Sequence, residues 1–283
     1  IMRFILTFLF TLIVMQPSNM FASNKQFYKN IDYSNLDLIG IVKNKGKGEY
    51  KIRTVQPLSI DEKDGDTVFL QGMIGNFSQF GKYRIGTNLG IGFRNFNDEF
   101  SKMYGYNFFY DSEPDPGHHR IGLGLEFKQT RFGINNNYYL GLTGKKSYGA
   151  SGLKEEVLNG ADIILSGLIP RFEWIETDLS YAYWDSIASS DLYEVKLGFN
   201  FNISDYITLN LEAEDDNKNS TSYNAGLSIS IGGNNSNKVS LLGENKISSL
   251  EDMRNYNLVP VKRSEKITLE QSGGFSVKVK KSG

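Results

Sequence analysis

The sequence contains no cysteine, only 2 histidines and only 6 prolines, and its 31 basic and 32 acidic residues nearly cancel to a formal charge of −1. Without cysteine there is no disulfide framework and no thiol chemistry, and two histidines leave little for a zinc centre. The balanced charge offers no basic face for nucleic acid, so nucleic acid is not among the expected partners. A mean hydropathy of −0.35, with only one sustained apolar run, excludes a bundle of membrane helices. No G-x-S-x-G, Walker loop or H-E-x-x-H occurs, and no acid, base and nucleophile set stands out, so the chain reads as a non-enzyme with no cofactor and no metal.

Aromatic residues and glycine are plentiful instead. Tyr 16, Phe 19 and 29 Gly favour β-strands joined by tight turns over disorder. The single apolar run lies at the start. Met2–Arg3 is followed by F-I-L-T-F-L-F-T-L-I-V-M (4–15), about 12 residues, the size of a signal-peptide core and too short for a comfortable membrane span. Small residues at Ala22 and Ser23 place the end of the export signal near 23, with 24–34 as an N-terminal periplasmic segment.

Downstream the dominant period is two. In K-Y-R-I-G-T-N-L-G-I-G-F-R (82–94), Tyr83, Ile85, Leu89, Ile91 and Phe93 share one parity, and Arg84, Gly86, Asn88, Gly90, Gly92 and Arg94 share the other. The pattern recurs at 118–128, where Arg120, Gly122, Gly124, Glu126 and Lys128 alternate with apolar residues. It recurs again at 191–203, with Glu194, Lys196, Gly198 and Asn200, and at 206–214, with Glu212 and Glu214. About twelve such runs lie between turn signals, at 35–43, 50–60, 67–77, 82–94, 102–111, 118–129, 131–141, 159–168, 177–184, 191–203, 206–214 and 221–232. Residues 35–60 alternate least clearly.

Most runs exceed the usual strand length of about 5 to 6 residues. Ten residues at ~3.4 Å each, tilted about 45°, rise about 24 Å, close to the roughly 25 Å apolar band of an outer-membrane barrel. The fold class expected is therefore all-β, a closed antiparallel transmembrane barrel of about twelve strands over 35–232, set in the outer membrane of a Gram-negative-type bacterium with lipid as its surroundings. The apolar parity then faces lipid. Arg84, Asn88, Arg94, Arg120, Glu126, Lys128, Glu194, Lys196, Asn200, Glu212 and Glu214 line the lumen. Gly86, Gly90, Gly92, Gly122, Gly124 and Gly198 leave volume there, either to relieve curvature strain or to admit something inside.

Past Gly233 the alternation stops. Residues 233–263 are polar and partly helix-compatible around 248–253, after which 264–271 and 274–280 alternate again about Ser272–Gly273, which suggests a hairpin. His118–His119 reads as a rim loop, since adjacent residues on a strand point to opposite faces and cannot chelate together. Asp215–Asp216–Asn217 lacks calcium-loop spacing and reads as a solvated turn.

The chain resembles the β-domain of inverse autotransporters, the intimin and invasin family. The matching stretches are D-T-V-F-L-Q-G-M-I-G (66–75), R-I-G-T-N-L-G-I-G-F-R-N-F (84–96), Y-G-Y-N-F-F-Y-D (104–111), H-H-R-I-G-L-G-L-E-F (118–127), N-G-A-D-I-I-L-S-G-L-I-P (159–170) and N-L-V-P-V-K-R-S-E-K-I-T-L-E (257–270). The resemblance implies a twelve-stranded barrel whose following linker threads the lumen and carries a C-terminal segment to the cell surface. It also implies the barrel-assembly machinery and periplasmic chaperones as partners. An even strand number returns the chain to its starting side, so a segment bound outward must go back through the pore. On this reading 233–263 is the pore-threading linker and 264–283 a hairpin or passenger stub, with any surface ligand unidentified. Residues 234–256 are expected inside the lumen, with Arg84, Arg120 and Lys196 bonded to groups such as Glu244, Glu251 or Asp252. The alternative is a stand-alone porin for small solutes.

Overall fold

The structure is a computed structural model and describes residues 35–115, 117–147, 152–231, 239–243, 251–273 and 278–280. The export signal and the 24–34 segment lie outside the described residues.

Twelve antiparallel strands close into a barrel: β1 (Leu36–Lys43), β2 (Glu49–Ile60), β3 (Thr67–Gln79), β4 (Lys82–Phe96), β5 (Lys102–Glu113), β6 (His118–Gln129), β7 (Phe132–Gly141), β10 (Asn159–Ile169), β11 (Phe172–Asp185), β12 (Leu192–Asn202), β13 (Ile207–Asp216) and β14 (Ser222–Ile231). Each strand pairs with its neighbour along the chain, β7 pairs with β10, and β1 closes on β14 from Leu36↔Ile231 to Lys43↔Asn224. Closure leaves no barrel edge unpaired, which hydrocarbon surroundings require. The inserted β8 (Lys146–Ser147) and β9 (Lys154–Val157) lie in the long β7–β10 loop.

The barrel is inside out relative to a soluble protein. Along β5 the exposure alternates strictly, with Tyr104, Tyr106, Phe108 and Tyr110 exposed and Met103, Asn107, Phe109 and Asp111 buried. Along β4, Arg84, Asn88 and Arg94 are buried while Tyr83, Ile85 and Ile91 are exposed. Burying arginine inside and leaving isoleucine outside is stable only where the outside is lipid.

One strand start lies more than two residues from that expected. β11 begins at Phe172 rather than 177, because the register shifts between Leu168 and Ile169 and lets Ile169 pair with Phe172. β1 alternates poorly in sequence because its inner parity is Asp37, Ile39, Ile41 and Lys43, apolar at its centre. The residues His118 and His119 are the first two positions of β6, not a loop. At the β3–β4 turn both Phe80 (φ 47) and Gly81 (φ 77) are left-handed, the backbone that a two-residue hairpin with native twist requires.

Candidate functional site

The lumen is partly filled by the chain's own C-terminal segment. A 3-10 helix, Met253–Tyr256, sits against one end of the barrel: the Met253 amide donates to the Phe100 carbonyl (2.7 Å) and the Glu251 amide to Thr130 Oγ1 (3.1 Å), both in turns at that end. A turn over 257–259 follows, closed by the Val259 amide on the Tyr256 carbonyl (3.2 Å), and from Pro260 the chain runs along the inner wall to Thr268, whose carbonyl accepts from the Leu158 amide (3.0 Å) at the opposite end. Met253 and Tyr256 pack with Met103, Val261 packs with Val55, Phe69 and Phe109, and Ile267 and Leu269 pack with Val157.

An extended strand inside a barrel has no neighbour to satisfy its backbone, and orphaned buried groups are costly. Wall side chains take that role here. Arg94 donates to the carbonyls of Asn257 and Val259 (both 2.8 Å), Asn137 to Lys262 (3.1 Å), Arg120 to Ser264 (2.7 Å), Asn88 to Glu265 (3.0 Å) and Gln79 to Ile267 (3.0 Å). Gln71 Oε1 accepts from the Val261 amide (2.9 Å) and the Tyr139 hydroxyl from the Ser264 amide (2.8 Å).

The run Lys262–Lys266 adds charge pairing in both signs. Lys262 reaches Asp178 (2.6 Å) and Glu176 (3.0 Å). The Arg263 fork bonds both oxygens of Asp111 (2.9 and 2.7 Å), which also accept from Arg120 (2.8 Å) and Asn88 (2.6 Å). Glu265 meets Lys51 (2.9 Å) and Arg53 (3.2 Å), and Lys266 meets Glu49 (2.9 Å). Bidentate guanidinium–carboxylate geometry fixes position as well as adding energy.

The residues expected in the lumen divide into three groups. Arg94, Arg120 and Asn88 bond the 257–268 segment directly, and Glu126 holds Arg94 in place (2.8 Å) while Lys128 lies over the Tyr256 ring (4.7 Å). Arg84 is engaged by the β7–β10 loop: it forms two bonds to Glu155 (2.7 and 2.6 Å) and faces Glu113 (3.5 Å). Lys196 pairs within the wall to Glu194 (3.5 Å), Glu212 (3.8 Å) and Glu214 (3.0 Å), and Asn200 bonds Asp178 and Asn210. Lys196, Glu212, Glu214 and Asn200 line a cavity of about 470 Å³ beside the segment, bounded also by residues of β1, β2, β6, β7 and β10.

The expected partners of Arg84, Arg120 and Lys196 are therefore corrected. Glu251 is taken by the Tyr256 hydroxyl (2.9 Å) and Asp252 caps the 3-10 helix and binds Arg254 (2.6 Å). Glu244 lies outside the described residues. The lumen contacts come from 257–268, further along the chain, because the polar 251–256 stretch is spent on docking to the barrel end. The hairpin expected from 264 is likewise shorter: β15 (Leu269–Ser272) pairs with β16 (Lys278–Lys280), and 264–268 is in the barrel instead.

The glycines hold room for rings more than for the segment itself. A Cβ on Gly92 would stand 2.1 Å from Phe69, on Gly90 2.3 Å from Phe109 and on Gly86 2.6 Å from Phe77. Phe69 and Phe109 in turn pack on Val261. Of the six glycines expected in the lumen, only Gly122 makes way for the segment directly, at 2.9 Å from Arg263; Gly124 clears Asn107 and Asn137, and Gly198 has nothing nearer than 3.8 Å. Asp111, Gln71, Asn137 and Tyr139 were missed, although Asp111 sits on the inward parity of Y-G-Y-N-F-F-Y-D. His118 and His119 face opposite ways, to Glu155 (3.4 Å) and to the Tyr110 hydroxyl (2.8 Å). The Asp216 carboxylate caps the turn through the amides of Lys218 (2.7 Å) and Asn219 (2.6 Å). Among the described residues, no group of three or more acidic or histidine side chains is arranged to hold a metal ion.

An inverted, closed, even-stranded barrel with strands of this length defines an outer-membrane β-barrel protein. The model of the family described as "Inverse autotransporter, beta-domain" matches residues 23–264, and the chain belongs to that family. Intimin of Citrobacter freundii is 28% identical over 159 residues, which are 53% of this chain and 17% of that protein. A putative attaching and effacing protein homolog of Escherichia coli strain K12 is 32% identical over 99 residues, 35% of this chain and 33% of that protein. The chain thus spans a small part of the length of these relatives. A structure solved in a study of in-meso crystallization of membrane proteins superimposes with a TM-score of 0.64 at 19% identity, covering 84% of this chain and all of that one; it supports the fold.

Proposed function

We propose that this outer-membrane barrel anchors and exports its own C-terminal segment, with Asn257–Thr268 as the linker left in the lumen and residues from Leu269 onward displayed outside. The observation that carries this reading is the pairing of an extended inner segment by wall side chains. A random tail that strayed into a pore would not find separate wall donors for the carbonyls of Val259, Lys262, Ser264, Glu265 and Ile267. The lumen is built to hold an extended chain at a fixed depth. Its grip is on the backbone and on the charged positions Lys262, Arg263, Glu265 and Lys266. That grip does not depend on the residues beyond the linker, which suits an anchor able to carry different cargo. Barrel-assembly machinery and periplasmic chaperones are the partners this family membership points to. Epitope insertion after Gly283 tests the reading: the tag is expected to be accessible to antibody on intact cells. Deleting 257–283 is expected to raise conductance in planar bilayers. A tag reached only after outer-membrane permeabilisation, together with unaltered conductance, would leave the barrel as a pore with a periplasmic tail.

A further inference from the structure

The β7–β10 loop and the β11–β12 turn meet where the lumen segment ends. β9 offers one edge to β8 and the other to β15, in the register Leu269↔Val157, Glu270↔Glu156, Gln271↔Glu155 and Ser272↔Lys154. Leu269, Ile267 and Val157 are buried together against Phe80 of the β3–β4 turn. The loop itself is fixed to the barrel at both ends of β9: Glu155 by the Arg84 fork, and Leu158 within a cluster of Tyr139, Ala182, Trp184 and Leu192.

One cross-strand pair looks wrong. Glu270 faces Glu156, and like charges directly opposite destabilise a sheet. The two carboxylates are drawn apart. Glu156 turns to Lys145 (3.7 Å), while Glu270 is buried and accepts from the Ser186 hydroxyl (2.7 Å) and the Ile187 and Ala188 amides (both 3.0 Å). A carboxylate at position 270 fills all of that three-donor seat, and a slip of one residue would flip Leu269 out of its apolar site.

We propose that β9 and the 186–188 turn form an exit dock: a preformed strand edge with a carboxylate seat that captures Leu269–Ser272 as it emerges and fixes how far the chain travels. This rests on the export reading. Docking supplies its strand hydrogen bonds only after the segment has left the lumen, so it opposes backward sliding. Glu270 is the residue that sets the register.

The sequence has no cysteine, so disulfide trapping is free of background. In the full chain carrying a C-terminal epitope, Lys154→Cys with Ser272→Cys is expected to cross-link on washed intact cells treated with diamide. The one-step-shifted pair, Lys154→Cys with Gln271→Cys, is expected to cross-link at least tenfold less. Adding Glu270→Ala should slow the in-register cross-link at least tenfold, and Glu270→Gln by less, since the amide keeps an acceptor and relieves the clash with Glu156. Heat-modifiable gel mobility shows that each barrel is folded. A surface-accessible epitope with no in-register cross-link, or with equal cross-linking in both registers, overturns the dock and leaves export standing. Wild-type cross-linking in Glu270→Ala overturns the role given to Glu270. An epitope that is inaccessible from outside overturns export, and the dock with it.

Discussion

Asp111 is the point at which the lumen segment is most tightly bound to the wall, and Asp111→Asn isolates its charge with little change in shape. The native carboxylate accepts from Asn88, Arg120 and both Arg263 nitrogens, and is fully buried. Breaking a buried ion pair from one side costs about 3–5 kcal/mol, because the partner's charge stays behind unpaired. The substituted amide keeps one acceptor oxygen, and Arg120 keeps the Ser264 carbonyl at 2.7 Å, so the lower figure applies. About 3 kcal/mol at 1.4 kcal/mol per decade is roughly a hundredfold. All of it falls on the seated state of the segment, since once released Arg263 recovers water. In planar bilayers at constant salt, the purified variant should therefore spend about a hundredfold more time above the closed conductance level than the wild type. Lys196→Gln is the matched control, because Lys196 pairs with wall carboxylates and not with the segment. Traces for Asp111→Asn that match the wild type, from protein with unchanged heat-modifiability, would refute the assignment of Asp111 as the hub of the grip.

Three further outcomes are expected from the same geometry. Gly92→Ala should lower the thermal unfolding midpoint of the detergent-solubilised barrel, by an amount corresponding to about 1–3 kcal/mol of overpacking against Phe69, whereas Gly198→Ala, with no atom nearer than 3.8 Å, should be near neutral. Leu125→Arg places a cation on the lipid face, where Leu125 is 56% exposed, and should cost about 2–4 kcal/mol near mid-bilayer, measured by denaturant titration in vesicles. Glu155 lies in the β7–β10 loop, outside the membrane-spanning strands; burial pushes its carboxyl up, but His118 and Arg84 beside it more than offset this and hold it at about 2. A depressed carboxyl stabilises above its ordinary value of 4.5 and loses that contribution as pH falls towards 2. Emission from Trp184, which packs on Leu158 of the same loop and is isolated by Trp174→Phe, should shift as pH falls from 4.5 to about 2.

The strand count, the face each strand gives to lipid and the outer-membrane setting were legible in the sequence, because period-two alternation is a local property and a single parity mistake would put Arg84 or Arg94 into hydrocarbon. The L-V-P-V-K-R-S-E-K run was legible as something other than barrel. Which wall residue met which tail residue was not. Inward-pointing Arg84, Arg120 and Lys196 look alike along the chain, yet their partners are a loop carboxylate, a strand carboxylate with a tail carbonyl, and three wall carboxylates. Those pairings depend on stagger between strands and on the depth at which the tail stops, and both are set by closure of the barrel. The glycines carry the same lesson. Their inward parity was readable, but that Gly90 and Gly92 clear space for Phe109 and Phe69, and only through those rings for Val261, is decided by neighbours on adjoining strands. Sequence determined which side of each strand faces lipid; only the closed barrel decided what each inward side chain holds, since those partners lie up to 217 residues apart, as with Lys266 and Glu49.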